Sequence, residues 1–402
     1  MSAREINIVV VGVSTAGIGI AKTLAALNKD GYPNLRVTIV DKNPYSFHAI
    51  GAPRGLVDEK FGRQLFFRLD SLLASFELDK SQPRHRFVQA ALVQVRGDKT
   101  LELSNGDVLA FDYLVLATGA SNHFPANIDA LTVDEARVKL AQVHENVKQA
   151  NRVLVIGGGA VGVEMAGEIA TEYPGKSVTL VHSRGRLLPE NFKPGLSAGA
   201  VNKLERLGVK VVLNERIDVP TNVQFDGALR EISLKGTSGR EYVSDVQIMA
   251  TGTKLHTEYL ANLEKQLGQM RESNGAIRVQ PTLQIDNPNL PTVFAVGDVN
   301  SLPAGAKYAV KAAEQSQLAA HNVVAMVRAG VDAGRPVPVL QSWNGSVMNM
   351  IAVPIGRSMG VMQAAGLALG KSCAADFLVR NVKGKDYFIG KIAGEFPPGA
   401  NA

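Results

Sequence analysis

One cysteine, Cys373, stands among 402 residues. A lone thiol closes no intramolecular disulfide and supplies neither a CxxC redox pair nor a cysteine-rich metal site, which excludes the dithiol reductases. No run of 18 or more apolar residues occurs, so nothing here reads as a membrane-spanning helix. The first apolar run opens at Ile6, too close to Met1 for a signal peptide, and the expectation is an intracellular protein that is not secreted. Ser2 stands where N-terminal myristoylation needs glycine. Runs of five or six like charges and basic stretches interleaved with aromatics are also missing. The net charge of +6 and pI of about 9.2 therefore read as a mildly basic surface suited to phosphate-bearing cofactors or an anionic membrane, and the pattern argues against nucleic acid. The seven histidines include no HxxxH pair, and GxSxG and HExxH are absent, so no metal is expected.

What is present is ordinary globular composition, 46% hydrophobic and 20% charged, on a chain long enough for two or three domains. The 39 glycines cluster beside apolar runs, where backbone must turn sharply or approach a ligand. The apolar run 6–11 ends in Gly12-Val13-Ser14-Thr15-Ala16-Gly17 and leads into a helical stretch, 18–27. A second run, 36–40, ends in Asp41. Strand, glycine turn, helix, strand and acid in this order spell a nucleotide-binding βαβ unit.

The same pattern returns 145 positions later: 152–156, then Gly157-Gly158-Gly159-Ala160-Val161-Gly162, a helix over 163–171 and a strand over 177–181. Each unit closes on one phrase, Ala117-Thr118-Gly119 after 113–116 and Ala250-Thr251-Gly252 after 246–249. That distance is too long for a solenoid repeat and indicates two Rossmann-like domains. A third apolar run, 291–296, ends in Gly297-Asp298 and passes Ala304-Gly305 into a helix over 309–327. Beyond the proline-rich 335–338, two-residue alternation over 386–392 predicts strands with one helix, and Met348, Met350, Met359 and Met362 read as packing. The domains are set at 1–125 and 254–335 for the two parts of a first nucleotide unit, 126–253 for a second, and 336–402 for the C-terminal segment. The fold class is α/β: two nested Rossmann-like dinucleotide-binding domains of the glutathione-reductase-like FAD/NAD(P) kind, with a small C-terminal α+β segment.

In such a motif the first glycine makes the turn, the second exposes backbone to a pyrophosphate and the third lets the helix pack closely. Gly12, Ser14 and Gly17 fill these places in the first unit, with serine in the middle one; Gly157, Gly159 and Gly162 fill them all in the second. Asp41 stands where an acid binds the adenosine ribose. The equivalent strand of the second unit ends in Val181-His182-Ser183-Arg184-Gly185-Arg186, without the acid, so a ribose 2′-phosphate is tolerated and NADPH stands beside NADH. Arg184 and Arg186 read equally well as solvated loop residues. Gly297-Asp298 offers a carboxylate to polyol hydroxyls ahead of a helix N-terminus. Two such folds suggest hydride passing from a nicotinamide in the second unit to a flavin in the first, with Glu164 at the helix start positioning the nicotinamide. Its alternative is a carboxylate favoured by the helix dipole. His48 or Arg54 approaches the flavin or serves as packing.

With these motifs placed, the chain resembles the apoptosis-inducing-factor homologues, most specifically the ferroptosis suppressor (mitochondrion-associated inducer of death) group, and is similar to type II NADH dehydrogenases. The carrying segments are 37–42, Phe47-His48, 157–169 with 171–174 and 178–183, Val296-Gly297-Asp298, Gly356-Arg357, 360–363, Gly366, Gly370 and 385–388. The resemblance implies bound FAD, oxidation of NADH or NADPH, and reduction of a lipophilic quinone at a membrane surface such as a mitochondrion or lipid droplet. Without the lipid anchor of some relatives, membrane contact falls to the C-terminal segment or the positive charge. Lys307 matches a basic position near the flavin or quinone side, and the amides around Ala309 and Val310 face the flavin edge. Motifs and resemblance together assign cofactor binding to Gly12, Ser14, Ala16, Gly17, Asp41, Lys42, Arg54, Ala117, Thr118, Gly119, Gly157, Gly159, Gly162, His182, Arg184, Gly252, Gly297, Asp298 and Ala309, and catalysis to Glu164 and Lys307. Two other readings stand beside the quinone reductase. One is a reductase of a ferredoxin-like partner or an NAD(P)H oxidase; the other is a redox-gated factor that binds nucleic acid or protein. Monomer and homodimer both remain open.

Overall fold

Unbroken runs of Ile and Val suit strands covered on both faces, as in a parallel sheet. The computed structural model describes residues 4–26, 35–74, 85–220, 223–303, 307–345, 350–370 and 372–401. Ser2, Leu27, Ala304, Gly305 and Met348 lie outside the described residues. The first unit is a five-stranded sheet in the order Val293–Ala295, Tyr113–Leu116, Ile6–Val11, Leu35–Asp41, Arg86–Gln89, with every pairing parallel. Helices Thr15–Ala26 and Ala309–Ala329 pack on one face over Ile8, Val10, Ile39 and Phe294. They cross so closely that a Cβ on Gly19 would lie 3.0 Å from that of Ser316. The other face, with Val9, Val40 and Leu114, is closed in part by an antiparallel three-stranded sheet over 92–110.

The second unit is a four-stranded parallel sheet in the order Lys210–Val212, Ser177–Val181, Arg152–Ile156, Val246–Met249. Its helix runs over Ala160–Glu172 and starts three residues before the sequence expectation. Gly159 is already the extended N-cap, and helical geometry begins at the next residue. The chain passes between the two units along paired strands, Ala120–Ser121 against Lys254–Leu255.

The C-terminal segment departs from expectation. Its three antiparallel strands are Ile351–Ile355, Met359–Ala364 and Leu367–Leu369, and two helices follow, Cys373–Val379 and Ile389–Ala393, with a π-helical turn at Arg380–Gly384 between them. The alternation over 386–392 forms no strand. Tyr387 and Phe388 are left-handed at φ +50° and +63°, because Tyr387 turns inward and is fully buried. Met359 packs against the second unit's apolar core, Met362 is buried, and Met350 is half-buried.

Candidate functional site

Both units build the same turn at the carboxyl ends of their central strands. The Gly12 amide donates to the Val40 carbonyl at 2.8 Å, and the Gly157 amide to the Val181 carbonyl at 2.8 Å. The Ala117 and Ala250 amides donate to Val11 at 2.8 Å and Ile156 at 2.7 Å, which seats each Ala-Thr-Gly phrase beside its turn. A Cβ on Gly12 would meet the Ala117 carbonyl oxygen at 2.4 Å, and one on Gly157 the Ala250 oxygen at 2.4 Å, with φ of +91° and +116°. A Cβ on Gly17 or Gly162 would fall 1.9 Å from the carbonyl oxygen of its own turn. Glycine is a steric requirement at these four places. The middle position differs, since a Cβ on Gly159 meets nothing within 4 Å, and Ser14 is exposed at the cavity. The serine therefore takes no room from its turn.

Asp41 ends the second strand of the first unit. Its carboxylate accepts from the amides of Val13 at 2.8 Å and Asn43 at 2.9 Å, one on each oxygen, and each oxygen keeps further acceptor capacity. Burial raises this carboxyl while the two amides hold it down. In the second unit the matching place belongs to His182, whose Nδ1 accepts from the Gly158 amide at 3.1 Å. Burial lowers His182, so the ring is neutral and carries its proton on Nε2. A cavity of about 300 Å³ is lined by Gly12, Ser14, Asp41, Lys42, Thr118 and Tyr259. A second, of about 540 Å³, is lined by Gly157, Gly159, His182, Arg184, Arg216 and Gly252. Lys42 pairs with Asp129 at 2.6 Å, and the Thr118 hydroxyl meets the His256 carbonyl and the Tyr259 hydroxyl, each at 2.9 Å. Bare backbone, helix-start amides without partners in their own helix and an acceptor at the strand end fit a dinucleotide in each unit.

Gly297, at φ +77°, lies so close to the first helix that its Cβ would be 3.3 Å from that of Ala16, and its amide donates to Gln315 Oε1 at 2.8 Å. Asp298 has exposed surface at this turn, while the protein around its carboxyl raises it by partial desolvation, which Lys307 opposes. Lys307 donates to the carbonyls of Asp298, at 2.8 Å, and Asn300, so its ammonium is tied to the Gly-Asp turn itself. Ala309 opens the helix Ala309–Ala329 and, with Ile18, His48, Ile50, Phe388 and Ile392, lines a third cavity of about 320 Å³.

Glu164 is 2% exposed, and its carboxylate takes the Lys383 ammonium at 2.5 Å. Burial raises the carboxyl, and Lys383 opposes the shift. One helical turn on, Glu168 holds Arg54 through two hydrogen bonds of 2.6 and 2.8 Å and accepts from the Tyr387 hydroxyl at 2.9 Å. Arg54 also donates to the Gly384 carbonyl at 3.0 Å, so its guanidinium is engaged in a buried ion pair, the packing role left open beside flavin contact; like Glu164, it lines none of the three cavities. His48 does line the third cavity, with its Nε2 2.7 Å from the Tyr387 carbonyl. Lys383 and Arg216 carry no motif in the sequence. The one signal for Lys383 is that Glu164, in an otherwise apolar helix start, has no basic partner nearby in sequence, and for Arg216 its place just after the third strand of the second unit.

Residues 6–316 match the pyridine nucleotide-disulphide oxidoreductase family, and the chain belongs to it. It is an FAD-dependent NAD(P)H oxidoreductase. The disulphide in the family's description has no counterpart here, because Cys373 is the one cysteine. Among curated proteins the chain is similar to ferroptosis suppressor protein 1 of Homo sapiens, 28% identical over 387 residues that cover 96% of this chain and 94% of that one. Among solved structures it is similar in fold to NDH2 of Plasmodium falciparum in complex with NADH, at a TM-score of 0.68 and 14% identity, covering 97% of each chain. The sulfide:quinone oxidoreductase of Aquifex aeolicus aligns at a TM-score of 0.66 and 16% identity, over 98% of this chain and 93% of that one. The resemblance read from the sequence and the nested two-fold architecture are both borne out.

Proposed function

We propose that this chain is an NAD(P)H:quinone oxidoreductase, with FAD held by residues 1–125 and 254–335, the nicotinamide dinucleotide by 126–253, and the acceptor under the C-terminal segment 336–402. The observation that carries the acceptor is the third cavity. Ile18, Ile50, Ala309, Val310, Phe388 and Ile392 give it a largely apolar lining, interrupted by His48, Gln317 and Lys391, in a volume that suits a quinone ring. Lys22 and Glu395, paired at 2.5 Å, stand at its edge. A flavin held by the first unit would supply the two-electron chemistry between a reduced nicotinamide and the acceptor.

The protein's residues supply binding and orientation. The glycine turns at 12 and 157 hold the two pyrophosphates, Asp41 and Asp298 accept from hydroxyls, and Glu164, fixed by Lys383, orients the nicotinamide. The hydride brings two electrons and one proton, and the quinone takes its second proton from the medium. The mostly apolar lining of this cavity favours a lipophilic acceptor, and the absence of a second cysteine disfavours a dithiol within the chain. Sulfide:quinone oxidoreductase, on the same fold, lends it support by analogy. Membrane contact belongs to the helix Cys373–Val379, with Phe377 70% exposed beside exposed Leu378, and to the turn after it, with exposed Arg380, Val382 and Lys385.

The test is anaerobic. The purified flavoprotein is reduced with NADPH or NADH, then offered ubiquinone and menaquinone analogues, a ferredoxin, or oxygen in separate reactions. Reoxidation of the reduced flavoprotein by quinone at least ten-fold faster than by the other two is expected, and faster transfer to ferredoxin or oxygen refutes the quinone assignment.

A further inference from the structure

The two nucleotide units superpose in their backbone bonding, yet they differ at the place that reads the adenosine ribose. The first ends its second strand in the carboxylate of Asp41; the second puts His182 there, neutral and bonded to the Gly158 amide. A carboxylate at that place accepts from a free 2′-hydroxyl and repels a 2′-phosphate, whereas a neutral imidazole does not repel it.

The structure also shows which cations face the vacated space. The His182 amide donates to Val212 at 2.8 Å, the Asn214 amide to Arg184 at 3.0 Å and the Glu215 amide to His182 at 3.0 Å. These bonds splice the loop 182–184 to the loop 213–216, so Ser183, Arg184 and Arg216 line one cavity with Gly157, Gly158 and Gly159. Arg186 does not join them, because it donates to the carbonyls of Glu190 and Phe192. Arg184 has Glu190 at 3.9 Å, with both side chains about 60% exposed, which leaves its charge weakly compensated. The Arg216 guanidinium has no ion pair or hydrogen bond among the described residues, and the backbone of Arg216 is pinned by Thr237 at 2.9 Å. Glu215 also borders the cavity, but its carboxylate accepts from the Ser238 amide at 3.0 Å and serves the turn at 236–239.

We propose that Ser183, Arg184 and Arg216 form a subsite for the 2′-phosphate of the adenosine ribose, making NADPH the preferred reductant. The inference rests on the assignment of the second unit to the nicotinamide dinucleotide. A phosphate dianion between two guanidinium groups gains charge-assisted hydrogen bonds that a 2′-hydroxyl does not, each worth about ten-fold in affinity.

Calorimetry on the oxidised flavoprotein, with NADP⁺ against NAD⁺ and 2′,5′-ADP against 5′-AMP, reads this without turnover. NADP⁺ and 2′,5′-ADP are expected to bind at least ten-fold tighter than their partners. Arg184→Ala and Arg216→Ala, both on the surface, are each expected to weaken NADP⁺ about ten-fold and to leave NAD⁺ within about two-fold. Equal binding of NADP⁺ and NAD⁺, or arginine variants that weaken both dinucleotides alike, overturns the subsite while the second unit keeps its dinucleotide. Binding of neither dinucleotide overturns the assignment of the second unit and the subsite with it.

Discussion

At the scale of single residues, the two turns divide into positions that reject a side chain and positions that do not. Gly12 combines φ +91° with a Cβ position 2.4 Å from a backbone oxygen, and no rotamer relieves a clash with main chain. Gly12→Ala is expected to cost about 1–3 kcal/mol and to give protein that retains no flavin on gel filtration, read from absorbance near 450 nm. Ser14→Gly is expected to keep a full complement of flavin, because the equivalent Gly159 shows that a Cβ there touches nothing. Loss of flavin in that variant would mean that the serine hydroxyl is a ligand. The glycine spacing is legible in the sequence, since each turn is local and its steric demands fall within six residues. Lys383 is not legible, because it meets Glu164 from 219 positions away and no local period marks it. For Arg54 the sequence leaves flavin contact and packing both open for the same reason, since its partners Glu168 and Gly384 come from other parts of the chain.

At the scale of elements, the duplication extends to a device that no glycine motif reveals. In each unit an acid precedes the strand that carries the Ala-Thr-Gly phrase, and it caps the start of the unit's first strand. Asp112 accepts from the Asn7 amide at 2.8 Å; Asp245 accepts from the amides of Arg152 at 2.8 Å and Asn151 at 3.0 Å. Both acids satisfy strand-end donors that the parallel sheet leaves over. Asp245 also meets the Arg152 guanidinium, which holds its carboxyl below the ordinary value of 3.8. A depressed carboxyl stabilises the fold fully above that ordinary value, and the contribution is lost as pH falls through the lower folded value. Asp245→Asn is expected to lose about 1–2 kcal/mol in urea unfolding at neutral pH. The gap to the parent should close as pH drops below the ordinary carboxylate range, and a gap that widens there would show that the carboxylate is not the source. The strands themselves are legible from their Ile and Val content. The C-terminal 386–392 is not, because its short alternation belongs to a turn that Tyr387 pulls inward.

At the scale of the whole molecule, one buried cluster joins three parts of the chain that the sequence leaves far apart. Arg54 comes from the first unit, Glu164 and Glu168 from the second unit's helix, and Lys383, Gly384 and Tyr387 from the C-terminal segment. The Tyr387 ring lies 5.2 Å from the Arg54 guanidinium and 5.5 Å from the Lys383 ammonium, so each cation has both a carboxylate and an aromatic neighbour. Removal of one carboxylate leaves a buried cation without its counterion, and that costs more than the intact pair contributes. Glu168→Ala is therefore expected to destabilise the holoprotein by about 3–5 kcal/mol. Tyr387→Phe, which deletes one hydroxyl and keeps the ring, should cost about 1–2 kcal/mol. If the cluster ties the C-terminal segment to both units, Glu168→Ala should also raise proteolysis around 380–390 ahead of global unfolding and, on the proposed quinone assignment, slow quinone reduction more than flavin reduction, since Phe388 and Ile392 wall the third cavity. A variant that loses stability uniformly, with both half-reactions slowed alike, would reduce the cluster to a core ion pair with no part in shaping the third cavity.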